Sequence, residues 1–401
     1  MDTARARPFE IHVGEPVLAD LAARLAATRL PPLQGPPGWD AGASPVYLRA
    51  LLEHWRERYD WRGEEAKLNR FPQFRAEVNG ADIHFIHVRG KGADPLPLIL
   101  THGFPDSFMR FLKLIPLLTD PAAHGGQAGD AFDVVVPSLP WFGFSREPRP
   151  TGSVFTVNDK WHELMTDVLG YEKYGAHGGD MGSTITERIA QSYAKSVIGI
   201  HLTDVPFFHA LKAPEDLKPR EREYLDAIQQ FQVQHGAYAL IQGHKPQTLA
   251  DGLNDSPIGL AAWLTEKFER WSDCDGDIDA CFTKDEMLTN TMLYWVTGSI
   301  GATFLPYFDV FNSGAPRWIA EIVKQKVGSH DVPAAFAMFP KDLTHPPREW
   351  AERFFNVQRW TEFPRGGHFA AMEQPEALAE DIRAFFRPLR NPGGHENRSG
   401  H

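Results

Sequence analysis

Apolar positions recur along this chain in two periods. Short runs rich in β-branched and aromatic residues fall at 75–78, 83–88, 96–100, 134–136, 174–177, 197–202, 334–339 and 357–363. Between most of them the apolar residues repeat at the three-to-four spacing of a helix. Strands alternating with helices predict an α/β chain with a mostly parallel sheet and helices on both faces. Asn79 and Gly80 separate the first two runs. That dipeptide suits a tight hairpin turn, so an antiparallel edge is expected there.

Two regions break the alternation. Residues 1–74 carry helical patterns at 18–25 and 47–55 and a stretch with Pro31, Pro32, Pro36 and Pro37, and are expected to wrap the core. Residues 205–325 carry helical patterns and no strand, with Tyr224, Ile228 and Phe231 on one apolar face. An insertion at this point is expected to cap the site, exclude water and touch the substrate. The expected order is therefore a wrapping segment at 1–74, the first part of the core at 75–204, a helical cap at 205–325 and the second part of the core at 326–390. The polar, Gly-rich tail at 391–401 is expected to be disordered.

A length of 401 residues suits one large α/β domain with an insertion. The formal net charge of −11 argues against nucleic acid and anionic membrane as partners. Cys274 and Cys281 are the only cysteines, so no disulfide framework is expected, and a reducing, cytoplasmic setting is. No run of about 18 apolar residues exists to span a membrane, and residues 1–7 lack the apolar stretch of a signal peptide. These patterns leave a homodimer open.

The candidate chemistry begins at His177, Gly178, Gly179, Asp180, Met181 and Gly182, between an expected strand and an expected helix. A Gly-x-nucleophile-x-Gly pentapeptide at such a junction is the sharp turn of α/β-hydrolases. The nucleophile slot holds Asp180. A carboxylate attacks an sp3 carbon to give an ester and is poorly suited to direct acyl transfer, which moves the expected substrate from esters toward epoxides or alkyl halides. His102, Gly103, Phe104 and Pro105 follow the run at 96–100. Such a loop supplies one oxyanion-hole N–H, from Phe104, beside that of Met181 after the nucleophile. A cis bond before Pro105 would fit a tight turn.

His368 stands in the Gly-rich loop Arg365, Gly366, Gly367, His368 and Phe369, ahead of an amphipathic pattern with Leu378, Ile382, Phe385 and Phe386. This is the position of the base in the order nucleophile, acid, His. Asp342, just after the run at 334–339, is favoured as the acid that orients His368; Asp204, after the run at 197–202, is its rival. Asp273, Asp275, Asp277 and Asp279 imitate the spacing of a calcium loop, but Ile278 and Lys284 occupy the places that need Gly and a bidentate carboxylate. A solvated acidic loop is expected instead, with no metal.

With Asp180, Asp342 and His368 in that order, the chain resembles an epoxide hydrolase of the α/β-hydrolase fold. It looks most like the branch that holds the microsomal and fungal enzymes, from about residue 8 to residue 389. Residues 237–242 with 253–257, and 289–295 with 306–307, are similar to that family's two cap-tyrosine segments. The resemblance implies Tyr238 and Tyr307 as an acid pair, with Tyr294 a decoy and Trp295 a core residue. It also implies a soluble detoxifying enzyme that takes a small apolar epoxide and water and needs no cofactor. The physics agrees: the alkoxide released by ring opening is strongly basic, and two phenols can hydrogen-bond and protonate it. Two positions depart from the family pattern, Met181 where Trp is frequent and Trp141 where Gly is usual. A haloalkane dehalogenase shares the Asp nucleophile but needs N–H donors for halide rather than phenols. A non-catalytic ligand-binding protein on the same scaffold is disfavoured by an intact triad.

Overall fold

The computed structural model describes residues 6–32, 36, 38–147, 153–312 and 331–390. Pro37, the expected tail at 391–401 and the stretch 313–330 lie outside them. Among the described residues nine strands form one sheet in the order β1-β2-β3-β5-β4-β6-β7-β8-β9. They are β1 (Ala6–Phe9), β2 (Gln73–Val78), β3 (Ala81–Val88), β4 (Leu96–Thr101), β5 (Phe132–Pro137), β6 (Tyr174–Gly178), β7 (Val197–Leu202), β8 (Pro333–Met338) and β9 (Asn356–Glu362). β1, β2 and β3 pair antiparallel, and β3 joins β5 antiparallel. From β5 to β9 every neighbour is parallel. The hairpin between β2 and β3 turns at Asn79 and Gly80, which have φ of 44° and 74°.

The parallel strands are buried on both faces, and their side chains alternate between two cores. Ile99 of β4 and Val135 of β5 face Trp161, Ile185 and Ile189. Their chain neighbours Leu98, Leu100, Val134 and Val136 face Leu378, Ile382, Phe385 and Phe386. The second group belongs to the closing helix Pro375–Phe386, which packs against α4 (Leu114–Thr119). The first core is filled by α5 (Val157–Glu163) and α6 (Met181–Ser192), which pack together.

The first 72 residues hold more than the expected helices. α1 (Glu15–Ala26) and α2 (Pro45–Glu57) are joined by α3 (Trp61–Leu68) and by strand β1, which adds an edge to the sheet. The four residues of β1 are too few for alternation to show in the sequence. The segment is tied inward by Val13 N–H donating to buried Glu65 at 2.7 Å. It also grips the helical layer: His54 lies 2.7 Å from Asp285, and the Tyr59 hydroxyl 3.0 Å from that of Thr289.

Between β7 and β8 the described residues form six α-helices: α7 (Pro219–His235), α8 (Ala237–His244), α9 (Pro246–Asp255), α10 (Pro257–Arg270), α11 (Lys284–Thr297) and α12 (Leu305–Asn312). Tyr224 and Ile228 of α7 are buried, as the periodicity predicts. α8 and α12 pack on each other. No helix among the described residues is long and apolar enough to cross a membrane.

Candidate active site

Strand β6 ends at Gly178, and Asp180 is the N-cap of α6 with φ 59° and ψ −127°. Positive φ is costly for a residue with a side chain and persists only where its surroundings enforce it. Here glycines allow the crowding. A Cβ on Gly103 would stand 2.1 Å from Asp180 Oδ1, and one on Gly182 would stand 2.0 Å from the Thr101 carbonyl oxygen of β4. The turn is held from below by Asp204, whose Oδ1 accepts the Asp180 N–H at 3.0 Å and the Ser183 hydroxyl at 2.5 Å. Burial, with Asp342 nearby, raises the Asp204 carboxyl to about 7. The carboxylate of Asp180 emerges above this turn.

The loop after β4 meets that carboxylate. Phe104 N–H donates to Asp180 Oδ1 at 2.9 Å, and the Phe104–Pro105 bond is cis. Met181 opens α6, so its N–H is one of the first-turn donors that the helix itself leaves unpaired. His102 is buried. Its Nδ1 donates to Gly103 O at 3.0 Å and its Nε2 accepts Leu139 N–H at 3.2 Å, which joins this loop to the one that follows β5.

Behind the loop lies a buried ion pair with no expected role. Arg110 donates through Nη1 to Asp106 Oδ2 at 2.5 Å and through Nη2 to the carbonyl of His368 at 2.5 Å. Asp106 Oδ1 accepts Gly103 N–H at 3.0 Å. Tyr294 is spent here too, its hydroxyl donating to the Asp106 carbonyl at 2.7 Å.

His368 places Nδ1 2.7 Å from Asp342 Oδ1 and Nε2 3.5 Å from Asp180 Oδ2. Asp342, not Asp204, is therefore the carboxylate on Nδ1. Burial disfavours a charged imidazole, but Asp342 and Asp180 outweigh it and lift His368 well above its ordinary range, to about 10. The main chain of His368 is held on both sides. Its N–H donates to the Trp271 carbonyl at 2.7 Å, and its C=O takes the Arg110 bond. Asp273 accepts Gly366 N–H at 2.8 Å, and Glu373 accepts both Asp273 N–H at 2.9 Å and Phe369 N–H at 3.0 Å. A loop that joins two helices of the insertion is thus sewn to the loop that carries His368.

Tyr238 of α8 and Tyr307 of α12 are brought together over Phe104. The Tyr238 ring stacks on Phe104 at 6.2 Å, the Tyr307 ring stands edge-on to it at 5.8 Å, and the two tyrosine rings are 5.9 Å apart. Each phenol perturbs the other's titration as well, so the two hydroxyls lie within interacting range. Burial, with Asp180 close by, holds both phenols well above their ordinary pKa, so both carry a proton. The walls around them are aromatic: Trp271 lies 5.3 Å from Tyr238, and Phe304 lies 6.2 Å from Phe104. Lys267 was not expected here; its ammonium stands 5.5 Å from the Tyr238 ring centre.

The two departures find ordinary places. Met181 packs against the core, and Trp141 is buried in it. The loop holding Trp141 is pinned by Ser138 N–H on His84 O at 2.8 Å and by the Ser145 hydroxyl on Ser138 O at 2.8 Å. Trp295 packs against both cores, as expected, but is only half-buried, with Arg24 over its ring. In the acidic run, Asp273 ties the His368 loop, Asp277 caps a short turn and Asp279 pairs with Lys284. Among the described residues no cluster of His, Cys, Asp or Glu could hold a metal ion.

Comparison with known proteins covers nearly the whole chain. Residues 6–111 match the family described as epoxide hydrolase N terminus, and residues 97–242 match the alpha/beta hydrolase fold. A homologue from Stigmatella aurantiaca is 43% identical over 96% of this chain and 85% of its own. Epoxide hydrolase 1 of Sus scrofa is 34% identical over 95% of this chain and 88% of its own. The crystal structure of juvenile hormone epoxide hydrolase from Bombyx mori superposes with a TM-score of 0.83 at 28% identity, over 98% of this chain and 97% of that one. The Aspergillus niger epoxide hydrolase structure gives 0.81 at 28% identity, over 96% of each chain. Sequence identity across nearly the full length and the shared fold place this chain in the epoxide hydrolase family of the α/β-hydrolases.

Proposed function

We propose that this enzyme hydrolyses small apolar epoxides to vicinal diols through an ester on Asp180. The supporting observation is the placement of one carboxylate. Asp180 Oδ1 is held by the Phe104 N–H, while Oδ2 lies within reach of His368 Nε2. In the first step Oδ2 attacks an epoxide carbon and the ring C–O bond breaks. Tyr238 and Tyr307 hydrogen-bond the departing oxygen, and one phenol gives it a proton. Burial keeps those phenols protonated and ready to donate. In the second step water attacks the ester carbonyl carbon while His368 takes its proton. The N–H groups of Phe104 and Met181 hold the oxyanion. As the acyl C–O bond breaks, the departing diol oxygen takes the proton held by His368. The second proton of the water, left on the Asp180 carboxyl, makes good through solvent the one the phenol gave, so the carboxylate reforms. No metal or organic cofactor enters these steps.

The first step arms the second. Asp180 is one of the two carboxylates that raise the proton affinity of His368. Alkylation removes its charge, so the imidazole becomes a free base when the ester exists to be hydrolysed. On this reading residues 205–325 are the cap that carries both phenols, 1–74 wrap the core, and the core is divided between 75–204 and 326–390. The paired phenols favour an epoxide over an alkyl halide, because a leaving halide needs no proton.

A single turnover in heavy-oxygen water tests the ester. Label is expected in the Asp180 carboxylate, since water attacks its carbonyl carbon. Label confined to the diol in the first turnover would favour direct attack of water on the epoxide and overturn the proposal.

A further inference from the structure

We infer that Arg110, clamped by Asp106, is a positioning residue for the base: it fixes His368 by its carbonyl oxygen and stations a permanent positive charge beside the imidazole. The inference rests on the ester reading above. It concerns the second half of the reaction, not the first.

Arg110 is 2% exposed, and a guanidinium is costly to bury unless its donors are matched. Replacing a buried ion pair by apolar groups is often neutral or stabilising, so packing alone does not call for one here. What the pair does is join the three loops of the site. One arm of Arg110 holds Asp106, which in turn takes the N–H of Gly103, next to Phe104. The other arm holds the His368 carbonyl. A Cβ on Gly179 would come within 2.8 Å of the same Nη2, so the guanidinium also lies against the nucleophile turn. A fixed planar fork suits this, since one Lys ammonium cannot span two such acceptors in a set geometry.

The charges around His368 give the second part of the role. Asp342 and Asp180 face it directly, and both favour its protonated form. Asp204 lies beneath, within range of His368 and Asp342. Glu373 ends the short helix Ala370–Glu373 that follows this loop and is also within range of Asp342. Arg110 opposes these carboxylates and lowers the proton affinity of His368. Once Asp180 is an ester, the balance at the imidazole lies largely between Asp342 and Arg110. That balance sets the pH above which His368 can take a proton from water.

The test measures alkylation and ester hydrolysis separately, by rapid mixing with an epoxide across pH 5 to 10. The variants are Arg110→Lys and the double neutral Arg110→Gln with Asp106→Asn, which avoids leaving a lone buried charge. In the double variant the pH limb of ester hydrolysis should move up by about one unit. Hydrolysis at pH 7 should fall by about 10-fold or more, and alkylation should change by less than about 3-fold. Arg110→Lys keeps the charge and loses the fork, so its limb should stay in place while the hydrolysis plateau drops. An unmoved limb in the double variant, or equal losses in both steps, overturns the inference while leaving the ester reading intact. A parent enzyme that forms no ester on Asp180 removes that reading and this inference with it. If the double variant does not fold, the Arg110→Lys plateau decides: parental hydrolysis there overturns the positioning role.

Discussion

Nδ1 of His368 stands 2.7 Å from Oδ1 of Asp342, and both side chains are buried. The contact fixes the proton of a neutral imidazole on Nδ1 and turns Nε2 toward Asp180. Replacing His368 with Gln should leave alkylation intact and slow ester hydrolysis by about 100- to 10,000-fold. The enzyme should then gain the mass of one substrate, readable by mass spectrometry of the intact protein. A folded, substrate-binding variant with neither adduct nor turnover would show that the role is wrong.

Asp342→Asn keeps a hydrogen-bond acceptor for Nδ1–H but removes the charge that stabilises an imidazolium. A smaller loss of hydrolysis, about 10- to 100-fold, is expected. Asp204→Asn should lose much less, since its Oδ1 serves the Asp180 N–H and the Ser183 hydroxyl, and an amide oxygen can accept both. Steady-state rates of the two variants side by side decide the acid. An unaffected Asp342→Asn enzyme would hand that place to Asp204.

Asp204 also carries a pH signature. Its folded pKa is raised to about 7, against about 3.9 in an unfolded chain. A raised pKa means that the folded state holds the proton more tightly. The stabilising contribution is therefore complete below about pH 4 and is lost as pH rises through about 7. Asp204→Asn has no such proton to lose. The melting temperature of the variant relative to the parent should climb from pH 4 to pH 8 and then level. A flat difference would mean that Asp204 is ionised throughout.

Tyr238→Phe and Tyr307→Phe each keep a ring against Phe104 and delete a hydroxyl. Either single change should slow alkylation by about 10- to 1000-fold, because the remaining phenol can still donate. The double variant should be almost inactive on epoxides. It should still react at Asp180 with an alkylating agent whose leaving group needs no proton. Near-parental turnover by the double variant would reduce both tyrosines to packing residues.

Gly182→Ala forces a methyl against the Thr101 carbonyl of β4, a backbone atom with no rotamer to yield. The helix must shift, at a cost near or above the upper end of the range of about 1–3 kcal/mol for overpacking. Lower thermal stability and a misplaced Asp180 should be seen together. A parental melting temperature would mean that the turn can relax.

Much of this site is written locally in the chain. Asp180 and His368 sit in glycine-rich turns whose composition follows from crowding at strand ends, and each could be read without the fold. The alternation of strands also showed, with bounds off by one or two residues where ends such as Phe132 and Phe363 have no sharp polar stop. Other features were hidden because their meaning is not local. Asp106 and Arg110 look like an ordinary i,i+4 surface pair until the apolar neighbours Phe108, Met109 and Phe111 are noticed. Glu373 and Asp273 are 100 positions apart and meet only through folding. Strand β1 is too short for a period, and the choice between Asp342 and Asp204 depends on which strand end faces the imidazole.

The bond from His368 N–H to the Trp271 carbonyl bears on any effort to change what this enzyme accepts. The helices that carry Tyr238 and Tyr307 are the natural place to recut for bulkier epoxides. The turn at 271–273 belongs to the same insertion, yet it anchors His368, the proposed base for the other half of the reaction. A graft that exchanges the whole insertion would exchange the seat of the base as well. Such chimeras should take up substrate and stall as esters unless Trp271 and Asp273 keep their main-chain positions.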